Sequence, residues 1–287
     1  MITQALTSIV EKNKNTTNSF FIRTLLKEAL QNYILNFMYN DQIYKKLFFT
    51  GGTCLRKIYG LPRLSEDLDF DFLGELDIQL FAQKTKTYFA EKLQYLDIKV
   101  KISGNNNTIF FKFPILEKIG LVKNASDASM LFVRCDFSKE TTGIFKTEVN
   151  SISTGEFTFY ALSYNLPTLF ANKIIAFLSR EFFKGSAQSI PFKGRDVFDL
   201  VWFIEQSAKQ SFSLQPYWER IFKMLDLQTK NEVVQAVKKK TEMLDKKSVY
   251  TDLLPFIEST DVVQNFTENF AAIIKSKLIN FKDYPDS

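Results

Sequence analysis

The chain has 287 residues, 45% of them hydrophobic and 30 of them Phe, and carries 37 basic against 32 acidic side chains. That balance supports a filled core, excludes intrinsic disorder and leaves room for two domains. Histidine is absent and the two cysteines, Cys54 and Cys135, form no Cys-x-x-Cys pair, which removes Ser-His-Asp and Cys-His triads and His- or Cys-ligated zinc together. Any enzyme built from this composition works with carboxylates, lysines, hydroxyls and oxygen-ligated Mg²⁺ or Mn²⁺. No apolar run reaches the length of a membrane span and the first residues lack a signal pattern, so a cytoplasmic protein with no membrane partner is expected. The net charge of +5 permits a nucleic-acid partner without selecting one.

In chain order, Leu25, Leu26, Ala29, Leu30, Ile34 and Phe37 recur at helical spacing. They predict a long helix, set off from a shorter first one by the polar residues 13–18. From Leu47 to about Tyr160 the pattern is mixed. Residues 48–50 read as a short strand ending at Gly51-Gly52, and a helix over 53–59 stops at Gly60. Residues 68–72 alternate apolar and acidic, and 77–93 form an amphipathic helix. Strands over 96–102 and 109–113 flank a turn at 104–107. Residues 130–137 form a further strand with Leu131, Val133, Cys135 and Phe137 on one face. After Tyr160 strand signals vanish. Helices are predicted from Pro167 to about 183 and over 196–208, 215–225, 230–244 and 262–278, and residues 282–287 are expected to fray. The fold class is therefore α+β: a small mixed β-sheet core flanked by helices over 1–160, then an all-helical domain over 161–287.

Three aspartates stand out first. On a strand Asp67, Asp69 and Asp71 project from one face while Leu68, Phe70 and Phe72 face the core. Aspartate is depleted in strands and like charges in a row repel, so a cation on that row explains it, although a merely acidic surface would read the same way. Gly51-Gly52-Thr53 sits where a strand meets a helix. Two glycines let the backbone approach an anion, the helix N-terminus offers free N–H groups, and Thr53 adds a hydroxyl; a tight turn without a ligand is the competing reading. The run Lys238-Lys239-Lys240, near Lys246 and Lys247, reads either as a phosphate contact or as a solvated helix face.

The segment Thr50-Gly51-Gly52-Thr53-Cys54-Leu55, followed by Arg63-Leu64-Ser65-Glu66-Asp67-Leu68-Asp69-Phe70, resembles the paired signature of the AbiEii/AbiGii toxin family of nucleotidyltransferases, within the polymerase-β-like superfamily. The resemblance spans about 47–203. It implies that the Gly51-Gly52-Thr53 turn, with Arg63 and Ser65 from the second half of the signature, binds the triphosphate, and that Asp67 and Asp69 hold Mg²⁺ or Mn²⁺. Asp136 is the candidate third carboxylate, as metal ligand or general base, against the alternative of a local turn contact. Asp71 lies one step beyond the family's pair and extends the acidic rim.

The family's downstream lysine matches Lys173, and its Arg-Asp-x-x-Asp helix start matches Arg195-Asp196-Val197-Phe198-Asp199. Lys173 within an apolar stripe needs an anion, either triphosphate or a nearby aspartate. Arg180 lies two turns beyond it. Asp196 suits helix capping whatever the function, Asp199 is the member expected to orient Lys173 or touch the metal, and Arg195 is either a phosphate ligand or the i+4 partner of Asp199. The segment 181–192 is an insert between the two motifs. On this resemblance residues 1–160 are the nucleotidyltransferase domain, and the helical domain contributes Lys173 and Asp199 to its cleft. The activity implied is transfer of a nucleotide from an NTP to an acceptor hydroxyl with release of pyrophosphate. The chain would then be the toxin of a toxin–antitoxin or abortive-infection system, with a separate antitoxin protein as partner and the 3′ end of tRNA as the leading acceptor. Nucleotidylation of a protein or small molecule, and nucleotide binding without transfer, are the alternatives.

Overall fold

The computed structural model describes residues 2–15, 18–103, 107–122, 129–180, 182–184, 188–190, 192–209 and 214–278. The chain divides into two compact units, Met1–Thr141 with Thr147–Ser163, and Thr142–Lys146 with Tyr164–Ser287. Among the described residues, no helix is long and apolar enough to cross a membrane.

The first unit opens with helices α1 (Ile2–Lys12) and α2 (Ser19–Asn40). Asn18 starts the second, its side chain accepting the Phe21 N–H, which satisfies one of the donors a helix N-terminus leaves open. Strand β1 (Phe48–Thr50) runs into helix α3 (Gly51–Tyr59), which Gly60 ends in the left-handed conformation the sequence predicts for it. Then come β2 (Asp67–Phe72), helix α4 (Ile78–Glu91) capped by Asp77, and strands β3 (Lys99–Ser103), β4 (Thr108–Phe113), β5 (Leu131–Lys139), β6 (Thr147–Ser153) and β7 (Thr158–Tyr164). Among the described residues these strands form one mixed seven-stranded sheet in the order β3-β4-β5-β2-β1-β7-β6. β2 runs parallel to β5, β1 runs parallel to β7, and β1 is antiparallel to β2.

An aromatic ladder fixes the register at the centre of this sheet. Phe49, Phe70 and Phe137 are direct partners across β1, β2 and β5, and their rings stack at 5.4 and 5.6 Å. Phe81 of α4 meets Phe137 edge-on at 5.2 Å. A slip of one residue in β2 would carry Phe70 out of the core and an aspartate into it, so burial specifies the register strongly.

The second unit holds α5 (Leu166–Ser179), α6 (Gly194–Lys209), α7 (Trp218–Leu225), α8 (Lys230–Glu242), α9 (Lys246–Leu253) and α10 (Thr260–Lys277). Phe170 of α5 and Phe203 of α6 stack at 4.4 Å. The buried Arg220 donates to the Asn172 Oδ1, the Thr142 Oγ1 and the Ile144 carbonyl, which ties segment 142–146 to the helices.

The α+β class and its order, sheet first and helices after, agree with the sequence reading. Five elements were not predicted: β6, β7, α9 and a short hairpin, β8 (Phe182–Lys184) with β9 (Gln188–Ile190), which lies within the insert 181–192. Strand signals therefore do not end at Tyr160, and β7 continues to Tyr164. The first helix of the second unit stops at Ser179, where its C-terminal cap is Arg180, rather than near 183. The turn residues 104–106 and the tail 282–287 lie outside the described residues.

Candidate functional site

The site begins one register step from the aromatic ladder. Where Phe49, Phe70 and Phe137 face inward, the adjoining positions Thr50, Asp69 and Asp136 are direct partners on the same three strands and face the other way. The aspartates of β2 and β5 are thus side by side by construction. Asp67 stands opposite Arg134 in the same pairing, and Asp71 opposite Ser138.

Behind β1 the chain turns at Gly51, whose φ is +75°. A Cβ placed there would lie 2.0 Å from the Asp69 Oδ2, so the carboxylate rests directly on the glycine and no other residue leaves it that position. At Gly52 a Cβ would meet the Arg63 guanidinium at 2.8 Å and the Ser65 hydroxyl at 2.9 Å. Arg63 and Ser65 are both buried. Arg63 donates to the Leu64 carbonyl, and the Ser65 carbonyl accepts from Gln31 of α2. Both side chains therefore support the turn from beneath.

Thr53 is fully buried, and its hydroxyl donates to the Asp67 carbonyl. That bond ties α3 to β2. The Thr50 side chain makes no capping bond to α3, so it leaves the first-turn N–H groups of that helix to other partners.

One charged member of this face was not singled out from the sequence. Arg134 lies two residues before Asp136 on β5 and therefore shares its face. Its Nε is 2.8 Å from the Asp136 Oδ2, while the Thr108 hydroxyl donates to the Asp136 Oδ1 at 2.6 Å. Burial works to lower the Arg134 pKa, but the hydrogen bond and charge of Asp136, followed by the charges of Asp67 and Asp69, outweigh it and hold the guanidinium above its ordinary value. Burial first, and the same three carboxylates after it, push the Cys135 thiol well up, so Cys135 is a core residue and no thiolate ligand.

The donor set is all oxygen, which suits Mg²⁺ or Mn²⁺ rather than a soft metal. Asp69 seated on a glycine and Asp67 two residues before it supply two carboxylates from one strand. Among the described residues no three carboxylates or thiolates stand close enough to form a finished metal centre. Asp136, the third of the expected set, is turned onto Thr108 and Arg134.

The remaining sequence-predicted residues belong to the second unit. Lys173 and Asp199 form an ion pair at 2.8 Å, Asp199 having no exposed surface, so the apolar-stripe lysine has found the aspartate named for it. Arg195 pairs with Asp252, through its backbone N–H at 3.0 Å and its Nε at 3.7 Å, and its guanidinium lies over the Phe256 ring. Asp196, in the first turn of α6, pairs with Arg180 at 3.1 Å. In the lysine run, Lys240 donates to the carbonyls of Leu178 and Arg180 at the end of α5, which is helix capping and accounts for that member without a phosphate.

The model of a protein family described as nucleotidyl transferase AbiEii toxin, type IV TA system, matches residues 36–279. Among solved structures, the chain is similar to the nucleotidyltransferase toxin MenT4 from Mycobacterium tuberculosis H37Rv, with a TM-score of 0.52 and 11% identity over 96% of this chain and 92% of that one. A crystal structure of JHP933 from Helicobacter pylori aligns over 90% of this chain and 93% of its own at 15% identity, with a TM-score of 0.48. None of the curated proteins matches the chain in sequence.

Proposed function

The chain belongs to the AbiEii family of nucleotidyltransferase toxins of type IV toxin–antitoxin systems, and from that premise we propose that its aspartate face moves a nucleotide from an NTP to the hydroxyl of an RNA acceptor, the 3′ end of tRNA being the leading candidate. The observation that carries this reading is the seat of Asp69 on Gly51, which brings a carboxylate and a helix N-terminus to one point of the sheet. The first-turn amides of α3 receive the phosphates while Asp67 and Asp69 supply oxygen ligands to Mg²⁺ or Mn²⁺. The bound cation contributes charge at the phosphoryl oxygens and acidifies the attacking hydroxyl. That hydroxyl attacks the α-phosphorus, the α–β bridge bond breaks, and pyrophosphate leaves. Asp136, on the neighbouring strand, takes the hydroxyl proton or completes the ligand set. Lys173, held by Asp199, is assigned as a further phosphate-binding cation, and a cognate antitoxin protein is the remaining partner.

The test is incubation of the protein with each α-labelled NTP, Mg²⁺ and total RNA. Label in an RNA band, lost on adding EDTA, is the expected result. Label in protein or small molecules with no dependence on RNA would overturn the acceptor, and NTP binding without any label would make the chain a nucleotide-binding regulator.

Arg134 offers a separate check on the metal. Its single positive charge offsets part of the negative charge of the aspartate face, so a cation entering that face competes with it. Arg134→Gln is expected to bind Mn²⁺ about fivefold more tightly in calorimetry, on the order of the ~1 kcal/mol of a half-exposed ion pair. The variant should also lose stability in EDTA and regain it at saturating Mn²⁺. Unchanged Mn²⁺ affinity would show that Arg134 does not share the cation's place.

A further inference from the structure

The sheet face that carries Asp69 and Asp136 continues onto β4 and β3, where its chemistry changes sign. Thr108, Phe110 and Lys112 of β4 are direct partners of Asp136, Arg134 and Phe132 of β5, and Lys101 and Lys99 of β3 are partners of Phe110 and Lys112. Direct partners share a face. Lys99, Lys101, Lys112 and Arg134 are therefore set among Phe110 and Phe132, beside the aspartates. The opposite face is the core, where Phe81 of α4 meets Phe111 and Phe137. On this face Lys99, Lys101, Arg134 and Phe132 are exposed, Phe132 by 39%.

Lysines on an edge strand such as β3 are explained by protection against sheet-to-sheet pairing. That explanation does not reach β4 and β5, which are interior strands and still present Lys112, Arg134 and two phenylalanine rings outward. In the protein alone the cations serve as lids for the rings: the Lys112 Nζ is 5.6 Å from the Phe132 centroid and the Arg134 Cζ is 5.8 Å from that of Phe110. The same pairs suit a nucleotide chain, with phosphates taking the cations and bases taking the rings. A ring can stack only on a base whose own face is free, which favours a single strand over a duplex. Among the described residues of β3, β4 and β5 up to Asp136, this face presents no other carboxylate, so its charge complements a polyanion.

We propose that the β3–β4–β5 face is a docking surface for single-stranded RNA, which lays its bases on Phe132 and Phe110 and leads its end to Asp67 and Asp69. This rests on the transfer reading above, of which it names the acceptor platform. The test is fluorescence anisotropy of an end-labelled, mixed-sequence 12-nucleotide RNA with the full chain, beside a duplex RNA of the same length. Phe132→Ala should weaken single-strand binding about tenfold, as loss of one stacked base does, and Phe132→Tyr should restore it. Lys101→Glu/Lys112→Glu should weaken it at least as much and flatten the log–log salt dependence by roughly 1.4. Thermal stability and NTP affinity should stay at their wild-type values in all three variants. Wild-type RNA binding by both Phe132→Ala and the double lysine variant would overturn the proposal, as would a duplex bound as tightly as the single strand, or a face whose variants release the antitoxin but not RNA. A wild-type chain that binds RNA through this face yet labels none would sink the transfer reading and leave the docking surface standing. Labelling of RNA by variants at the wild-type rate would do the reverse.

Discussion

Asp67→Asn/Asp69→Asn is expected to lose about 10³-fold or more in nucleotide transfer, equivalent to ~4 kcal/mol of barrier, while its stability stays within about 0.5 kcal/mol of the wild type. The two amides preserve shape and remove charge. They also relieve the repulsion between like charges along β2, and Asp136 keeps its bonds to Thr108 and Arg134. Gly51→Ala provides the complementary loss without touching a charge. Its methyl group would fall 2.0 Å from the Asp69 Oδ2 at a φ of +75°, so the carboxylate has to move by more than an ångström. Misplacement on that scale costs transfer about a hundredfold, with ~1 kcal/mol of stability lost to the backbone strain. Gly52→Ala is milder, because the atoms in its way are the far ends of the Arg63 and Ser65 side chains. Labelled-NTP transfer and thermal melts measure all three. Full transfer by the double asparagine variant would remove the aspartates from the chemistry, and full transfer by Gly51→Ala would show that the seat of Asp69 is incidental.

What the sequence carries about this site is uneven, for identifiable reasons. The alternation of Asp67 to Phe72 places the aspartates on one face whatever the tertiary fold, because the period of two belongs to the strand itself. The side-by-side placement of Asp69 and Asp136 is of another kind. β2 and β5 are parallel and separated by a helix and a hairpin, so nothing local links them; the link is the Phe49–Phe70–Phe137 ladder, a tertiary fact. Arg134 was legible in parity yet overlooked, since a basic residue among acidic candidates does not look like part of their site. Thr53 was legible as part of the glycine turn, whereas the bond of its buried hydroxyl to the Asp67 carbonyl is again a tertiary fact. The missed β6 buries only Ile152, and the missed α9 only Val249 and Leu253, so neither offers the apolar period by which such elements are found.

The second large effect is on stability. Asp199→Ala is expected to destabilise the chain by about 3–5 kcal/mol, the cost of leaving one partner of a buried ion pair uncompensated. Asp199 has no exposed surface and the Lys173 side chain only 13%, so water cannot replace the lost carboxylate. Phe170 and Phe177, three residues before and four after Lys173 on the same helix, are buried apolar side chains, a setting that penalises an isolated ammonium. Lys173→Met/Asp199→Leu removes both charges and fills the space with apolar atoms; by the same reasoning it should recover most of the loss or exceed the wild type. The pair of variants separates two roles. If the ion pair serves folding alone, the double variant is stable and retains transfer. If Lys173 also binds phosphate, the double variant is stable and loses transfer or raises the KM for NTP. Urea denaturation with the linear-extrapolation slope held in common measures the first quantity, and NTP titration of the labelling rate measures the second. An Asp199→Ala chain with wild-type stability would mean that Lys173 finds another partner within the helical unit, and would end the case that this pair is held together by burial.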